Sequence, residues 1–440
     1  MRFTPTPNRL APLTLRSVIL AISMCAFSTS LCHAATIGIP QYQPQQPAGT
    51  ESYQKGMTAL AAGKFKAAKE AFQEVINEAP THVGAVLGLA EIAWKQKDPQ
   101  NVEKYLQKAM ELAPKNALVY QAWGKHLIQQ GRFHEAEDAL KKSIYLEPKL
   151  VSLHVQLGDL YLQLLREPKR AIKSYQEALN LDASQARAHY GIGLAHFALK
   201  HIQEARDALK ETIKLTPSNP LPYFSLGRLY MTQQTYDQAL DSFGRAIRLQ
   251  PKFVEAHIAI GDAYIYQKKD QEALEAYERA KSLAPKVGGI YVKIGLLHER
   301  NQRIDEAAQA FEEAIALDPN QAIAFNNLAW IAAQKNIRLD EALEWAQKAV
   351  ALAPTVNAFQ DTLGWVHRLR GELDQAADTL HEALEIRPEL PDIYYHLGIV
   401  EAERGNKKDA ITALTRALEL DGHFVDAADA QERLDALKGL

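Results

Sequence analysis

Six histidines, one glycine doublet and a pair of tryptophans are the residues whose types and spacing could do chemistry in this 440-residue chain. His154, His189 and His257 recur in one register, and His196, His298 and His367 in another. A metal site would need a carboxylate or cysteine in the same register, and none completes one, so these read as packed or rim histidines. Gly191-Ile192-Gly193 opens like a dinucleotide-binding turn, but His196 stands where the third glycine belongs. The phosphate-loop, H-E-x-x-H and G-x-S-x-G patterns are missing, and no C-x-x-C lies in the body. The reading is therefore no catalytic, cofactor-binding or metal-binding residue, and not an enzyme. Trp330 and Trp365 lie near Asn326, Asp361 and Arg368. Indoles beside amides and carboxylates can stack on a sugar ring, anchor a peptide, or simply pack.

The composition suits a soluble protein, with 50 Lys and Arg against 53 Asp and Glu and 47% hydrophobic residues. No basic stripe is present to hold phosphates, which argues against nucleic acid as partner. At the N-terminus Arg2, Arg9 and Arg16 precede an apolar run from Ser17 to Leu31 and then Cys32-His33-Ala34. This reads as a secretory signal peptide, residues 1–34, because the run is short for a membrane span and small residues flank a cleavage point after Ala34. Cleavage would remove both cysteines, Cys25 and Cys32, leaving no thiol for a disulfide or a nucleophile. Residues 35–48, rich in Pro and Gln, read as an extended tether. The expected location is the periplasm, with outer-membrane association through partners and no transmembrane segment in the mature chain.

The body repeats itself. Gly56, Ala90, Gly124, Gly158, Gly193, Gly227, Gly261, Gly295, Ala329, Gly364 and Gly398 are spaced by 34 or 35 residues. Taking this small residue as position 8 of a 34-residue unit gives eleven units over residues 49–424. Position 20 is alanine in every unit but the second, which has Val102, and position 32 is mostly proline, as at Pro80, Pro217 and Pro319. Apolar residues such as Tyr223, Leu226, Leu229 and Tyr230 follow helical spacing, and each proline ends a second helix. Small residues at positions 8 and 20 let the two helices approach closely. Residues 425–440 read as an amphipathic capping helix. The extra residues near Glu167-Pro168 and near Asn336 are expected where the two helices of a unit join.

Leu/Ile-Gly, then alanine, then proline at this period resembles the tetratricopeptide repeat. The resemblance implies an all-α, right-handed superhelical solenoid of antiparallel helix pairs, with positions 2, 5, 9 and 12 of each first helix on a concave groove. By that reading Val155, Tyr190, Phe224, Ile258 and Val292 at position 5, with Phe197, Met231 and Ile265 at position 12, form a partner groove for a peptide or amphipathic helix. The alternative is a groove closed by its own packing. Position 6 carries no asparagine ladder, and Lys125 and Arg228 are too far apart in the array to form a carboxylate clamp. Phe325 to Trp330, Asp361 to Trp365 and Tyr394 to Gly398 resemble envelope repeat proteins of exopolysaccharide and exosortase systems. The expected function is a non-catalytic scaffold for envelope proteins or peptide segments. A glycan-binding or polysaccharide-export solenoid and an assembly factor for an outer-membrane or secretion complex are the alternatives.

Overall fold

The computed structural model describes residues 50–439, which are helical apart from short turns, with no strand among them. The signal peptide and the tether lie outside the described residues. Two compact units divide the chain, one ending at Leu249 and one beginning at Gln250. The first holds α1 (Thr50–Ala61), α2 (Phe65–Glu78), α3 (Val83–Lys95), α4 (Pro99–Leu112), α5 (Ala117–Gln129), α6 (Phe133–Leu146), α7 (Val151–Asp159), α8 (Pro168–Leu181), α9 (Ala186–Ala198), α10 (Ile202–Leu215), α11 (Pro220–Thr232) and α12 (Tyr236–Leu249). The second holds α13 (Val254–Tyr266), α14 (Asp270–Leu283), α15 (Gly288–Arg300), α16 (Ile304–Leu317), α17 (Ala322–Lys335), α18 (Leu339–Leu352), α19 (Asn357–Leu369), α20 (Leu373–Ile386), α21 (Pro391–Glu403), α22 (Lys407–Leu420) and α23 (Ala427–Lys438). The architecture is an all-α solenoid in which each odd-numbered helix through α21 pairs with the even-numbered helix after it.

The periodic columns explain the pairing. Ala68, Ala136, Ala171, Ala205, Ala239, Ala273, Ala307, Ala342, Ala376 and Ala410, all at position 20, have no exposed surface. A larger side chain there would push the two helices of a pair apart. After the first, second helices end at a Leu or Ile, one extended residue follows, and in most repeats a proline then cannot continue the helix. Side-chain caps at Asp98, Asn116 and Asn219 start α4, α5 and α11 by accepting a backbone N–H.

Most joints between the helices of a pair use three residues with the middle one left-handed, as at Gly131, Gln234 and Gly371. The inserted residues do not enlarge these joints, contrary to expectation. In the fourth repeat the extra residue is absorbed by a π-helical turn, Leu160–Leu164, continuing α7, and a three-residue joint follows. In the ninth, α17 is one residue longer than the first helices α15 and α19, and both Asn336 and Arg338 are left-handed. A turn with five-residue spacing accommodates one more residue without breaking the hydrogen-bond ladder.

First helices approach one another along each stack: α1 packs on α3, α7 on α9 and α9 on α11, and in the second unit α15 on α17, α17 on α19 and α19 on α21. Second helices stand farther apart, so within each unit the first helices form the inner wall. They are accordingly buried on more than one side, as Ile290 to Leu297 show. The final first helix is covered by α23, where Leu434 and Ala430 pack with Ile399, Leu414 and Ala417.

Candidate functional site

Five of the six histidines have a structural partner for a ring nitrogen. At position 4, His154, His189 and His257 place Nε2 within 2.8 to 3.1 Å of the backbone oxygen of Pro148, Ala183 and Pro251. Tyr120, Tyr223 and Tyr291 donate their hydroxyls to Pro114, Pro217 and Pro285 from the same position. A polar tip six residues on thus meets the carbonyl at the preceding turn. At position 11, His367 Nδ1 lies 2.6 Å from Glu372, and His196 Nδ1 3.3 Å from His201. No group of three potential metal ligands occurs among the described residues. The glycine doublet is equally structural: a Cβ on Gly191 would fall 2.3 Å from the Tyr175 ring, and one on Gly193 3.0 Å from Leu209.

The proposed groove residues separate into buried and accessible sets. Val155, in the first unit, and Val292 and Ile265, in the second, are at most 5% exposed and have no surface to offer. Tyr190, Phe197, Phe224, Met231 and Ile258 are partly exposed, the first four on α9 and α11. The Tyr190 hydroxyl and Ser225 Oγ are 2.9 Å apart. The Arg228 guanidinium lies 5.6 Å from the Phe197 ring centre, and burial lowers its pKa to about 10. Three repeats earlier in the sequence, Lys125 Nζ sits 3.3 Å from the centre of the Trp94 ring. Burial lowers its pKa to about 8 from the usual 10.5. Between those values the unfolded chain binds the extra proton, so this lysine makes stability rise with pH. Lys125→Met should therefore raise the urea midpoint at pH 7.5 and flatten its rise toward pH 9.5, read by circular dichroism.

The tryptophan platform forms only in part. Trp330 is 8% exposed and belongs to the core, as does Asn326. Trp365 is partly exposed, but its ring centre lies 4.4 Å from the Arg368 guanidinium and 4.4 Å from the His396 ring. Arg368 also donates to both oxygens of Glu403, and His396 Nδ1 stands 2.6 Å from Asp361. The faces that would stack on a sugar are thus engaged by the protein itself.

Sequence reasoning missed a buried polar device that occurs once in each unit. Tyr175 donates to Asp159 at 2.7 Å, with Arg187 at 2.6 Å from the other carboxylate oxygen. Tyr277 donates to Asp262 at 2.6 Å, and Lys293 Nζ lies 2.7 Å from the same oxygen. Burial pushes both phenols well up and raises the Asp159 carboxyl despite the guanidinium. The signal was available in the repeat alignment. Position 24 is tyrosine only in the two repeats with aspartate at position 9, and is Phe72, Phe243 or Phe311 beside Met57, Arg228 or Leu296.

Repeated helical pairs around an inner wall, held by small-residue columns, define a helical-repeat protein of the interaction class. Models described as tetratricopeptide repeat match residues 59–125, 118–150, 155–220, 224–287, 292–357 and 391–424, and one described as TPR repeat matches 364–405. The chain belongs to the tetratricopeptide repeat family. It is 26% identical over 158 residues to a barley (Hordeum vulgare) protein, probable UDP-N-acetylglucosamine--peptide N-acetylglucosaminyltransferase SPINDLY, covering 34% of this chain and 17% of that one. It is 28% identical over 159 residues to the cellulose synthase operon protein C of Xanthomonas axonopodis pv. citri (strain 306), covering 34% and 10%. The chain therefore spans under a fifth of the length of either relative. Among solved structures, the APC/C hetero-tetramer Cut9-Hcn1 is 14% identical, with 88% of this chain and 96% of that chain covered at a TM-score of 0.45.

Proposed function

We propose that this protein is a non-catalytic scaffold of the bacterial cell envelope that holds segments of partner proteins along the inner wall of its helix stack. The observation that carries the reading is the cluster of partly exposed Tyr190, Phe197, Phe224 and Met231 on adjacent first helices, beside the stacked Arg228. Equivalent side chains elsewhere in these columns, such as Leu87 and Val155, are buried. Apolar side chains left uncovered at a fixed spacing suit an amphipathic helix or extended segment. The N-terminal leader pattern and the similarity to a cellulose synthase operon protein support the envelope as the setting. No helix among the described residues is long and apolar enough to cross a membrane.

Polysaccharide guidance is the second reading, favoured by that same similarity and opposed by the engaged faces of Trp365. An assembly role for an outer-membrane or secretion complex would use the same wall, with a membrane protein as partner. The test is cross-linked capture of the full chain's partners from envelope extract, in parallel with the Tyr190→Asp/Phe224→Asp variant. The expected result is a protein captured by the native chain and lost, at least tenfold, by a variant whose helical circular dichroism is unchanged. Equal capture by the folded variant would overturn the site.

A further inference from the structure

We propose that His196 and His201, facing each other across the joint between α9 and α10, bind a divalent transition-metal ion of the zinc and nickel kind through their two Nδ1 atoms. The inference goes beyond the scaffold reading and does not depend on it.

The joints between the two helices of a repeat set position 11, in the last turn of the first helix, opposite position 16, just before the second. In the fifth, eighth, tenth and eleventh repeats the position-16 N–H donates to the position-11 carbonyl at 2.9 Å, so the two side chains leave the same backbone frame each time. The tenth repeat uses this frame to set His367 Nδ1 2.6 Å from Glu372, and in the eleventh Asn406 donates to Glu401 at 2.7 Å. The fifth places two imidazoles there instead, with their Nδ1 atoms 3.3 Å apart and their ring centres 5.5 Å apart. Two neutral imidazoles share this approach when one donates its proton to the lone pair of the other. A metal ion uses both lone pairs. A tetrahedral ion with bonds of about 2.0–2.1 Å to each imidazole holds the two nitrogens about 3.3–3.4 Å apart, which is the spacing the joint already provides. Imidazole suits zinc, copper and nickel, whereas magnesium and calcium take oxygen ligands. The carboxylate of Glu204, one turn into α10, acts on His196 and favours a cation beside it. No three protein ligands come together among the described residues, so water completes the coordination and the ion is exchangeable. His196 is partly exposed and His201 exposed, which gives the ion its entry path. An occupied site ties the end of α9, which carries Phe197, to the start of α10.

The test is isothermal titration calorimetry of the full chain, free of any affinity tag and with Cys25 and Cys32 alkylated, against Zn²⁺, Ni²⁺ and Mg²⁺. Zn²⁺ and Ni²⁺ should each bind with a stoichiometry of one, and Mg²⁺ should not bind. His201→Arg reproduces the His298 and Arg303 pair of the eighth repeat, so the variant should keep its helical circular dichroism while Zn²⁺ binding weakens at least about tenfold. The converse change, Arg303→His, copies the fifth-repeat pair into the eighth and should raise the stoichiometry to two. No Zn²⁺ uptake by the native chain, unchanged uptake by a folded His201→Arg variant, or Mg²⁺ binding as tightly as Zn²⁺ would overturn the proposal. An Arg303→His variant that is folded and still takes up a single ion would show that the frame of the joint does not make the site. No partner is present in these titrations, so failure of the groove reading leaves their outcome untouched.

Discussion

Gly261→Ala should destabilise the second unit by about 3 kcal/mol, at the upper end of what overpacking a core usually costs. The added methyl would fall 2.3 Å from Tyr277 Cε1 and 2.6 Å from Cδ1. The ring cannot swing aside, because Tyr277 is 1% exposed and its hydroxyl is fixed on Asp262. Gly193→Ala is the matched control. There the methyl would meet Leu209 at 3.0 Å, a flexible neighbour that can give by a few tenths of an ångström, and alanine's better helix propensity offsets the strain by about 1 kcal/mol. That variant should be close to neutral. The chain already contains the compensated arrangement, since alanine at position 8 faces a smaller residue at position 24, Ala90 with Leu106 and Ala329 with Ala346. Tyr277→Leu should accordingly recover part of the Gly261→Ala loss. Urea unfolding followed by circular dichroism reads all three. An undisturbed midpoint in Gly261→Ala would show that the glycine column does not set the helix spacing.

Lys293→Met should cost about 3–5 kcal/mol, because it leaves the Asp262 carboxylate buried without its cation. Both side chains are nearly inaccessible, at 6% and 13%. Arg187→Met, the counterpart beside Asp159, removes a cation that is 43% exposed and should cost less than about 1 kcal/mol. Removing the whole polar group is a different matter, since a buried ion pair replaced by well-packed apolar residues is often neutral. The eighth repeat shows the apolar solution in place, with Leu296 and Phe311 at the positions of Asp262 and Tyr277. Asp262→Leu/Tyr277→Phe/Lys293→Met should therefore regain most of what Lys293→Met alone loses. Chemical unfolding midpoints compare them, and a triple variant as unstable as the single one would contradict this account.

What the sequence determined by itself is what a period can encode. Columns of alanine, glycine and proline recur because every repeat solves one packing problem, so helix pairing and the turn after each second helix were legible without coordinates. The hydrogen bonds of the position-4 histidines to the preceding turn were not legible. Tertiary structure decided which members of a column reach solvent. Val155, Tyr190 and Phe224 share a position, yet only the latter two are accessible, because exposure depends on the neighbouring helices and on the bulk of the side chains they present. It likewise decided that Trp330 is core and that Trp365 is occupied by Arg368 and His396. A column fixes where a side chain starts from, whereas contacts across repeats fix what it meets, and the charge and hydrogen-bond balance of the inner wall lies in those contacts.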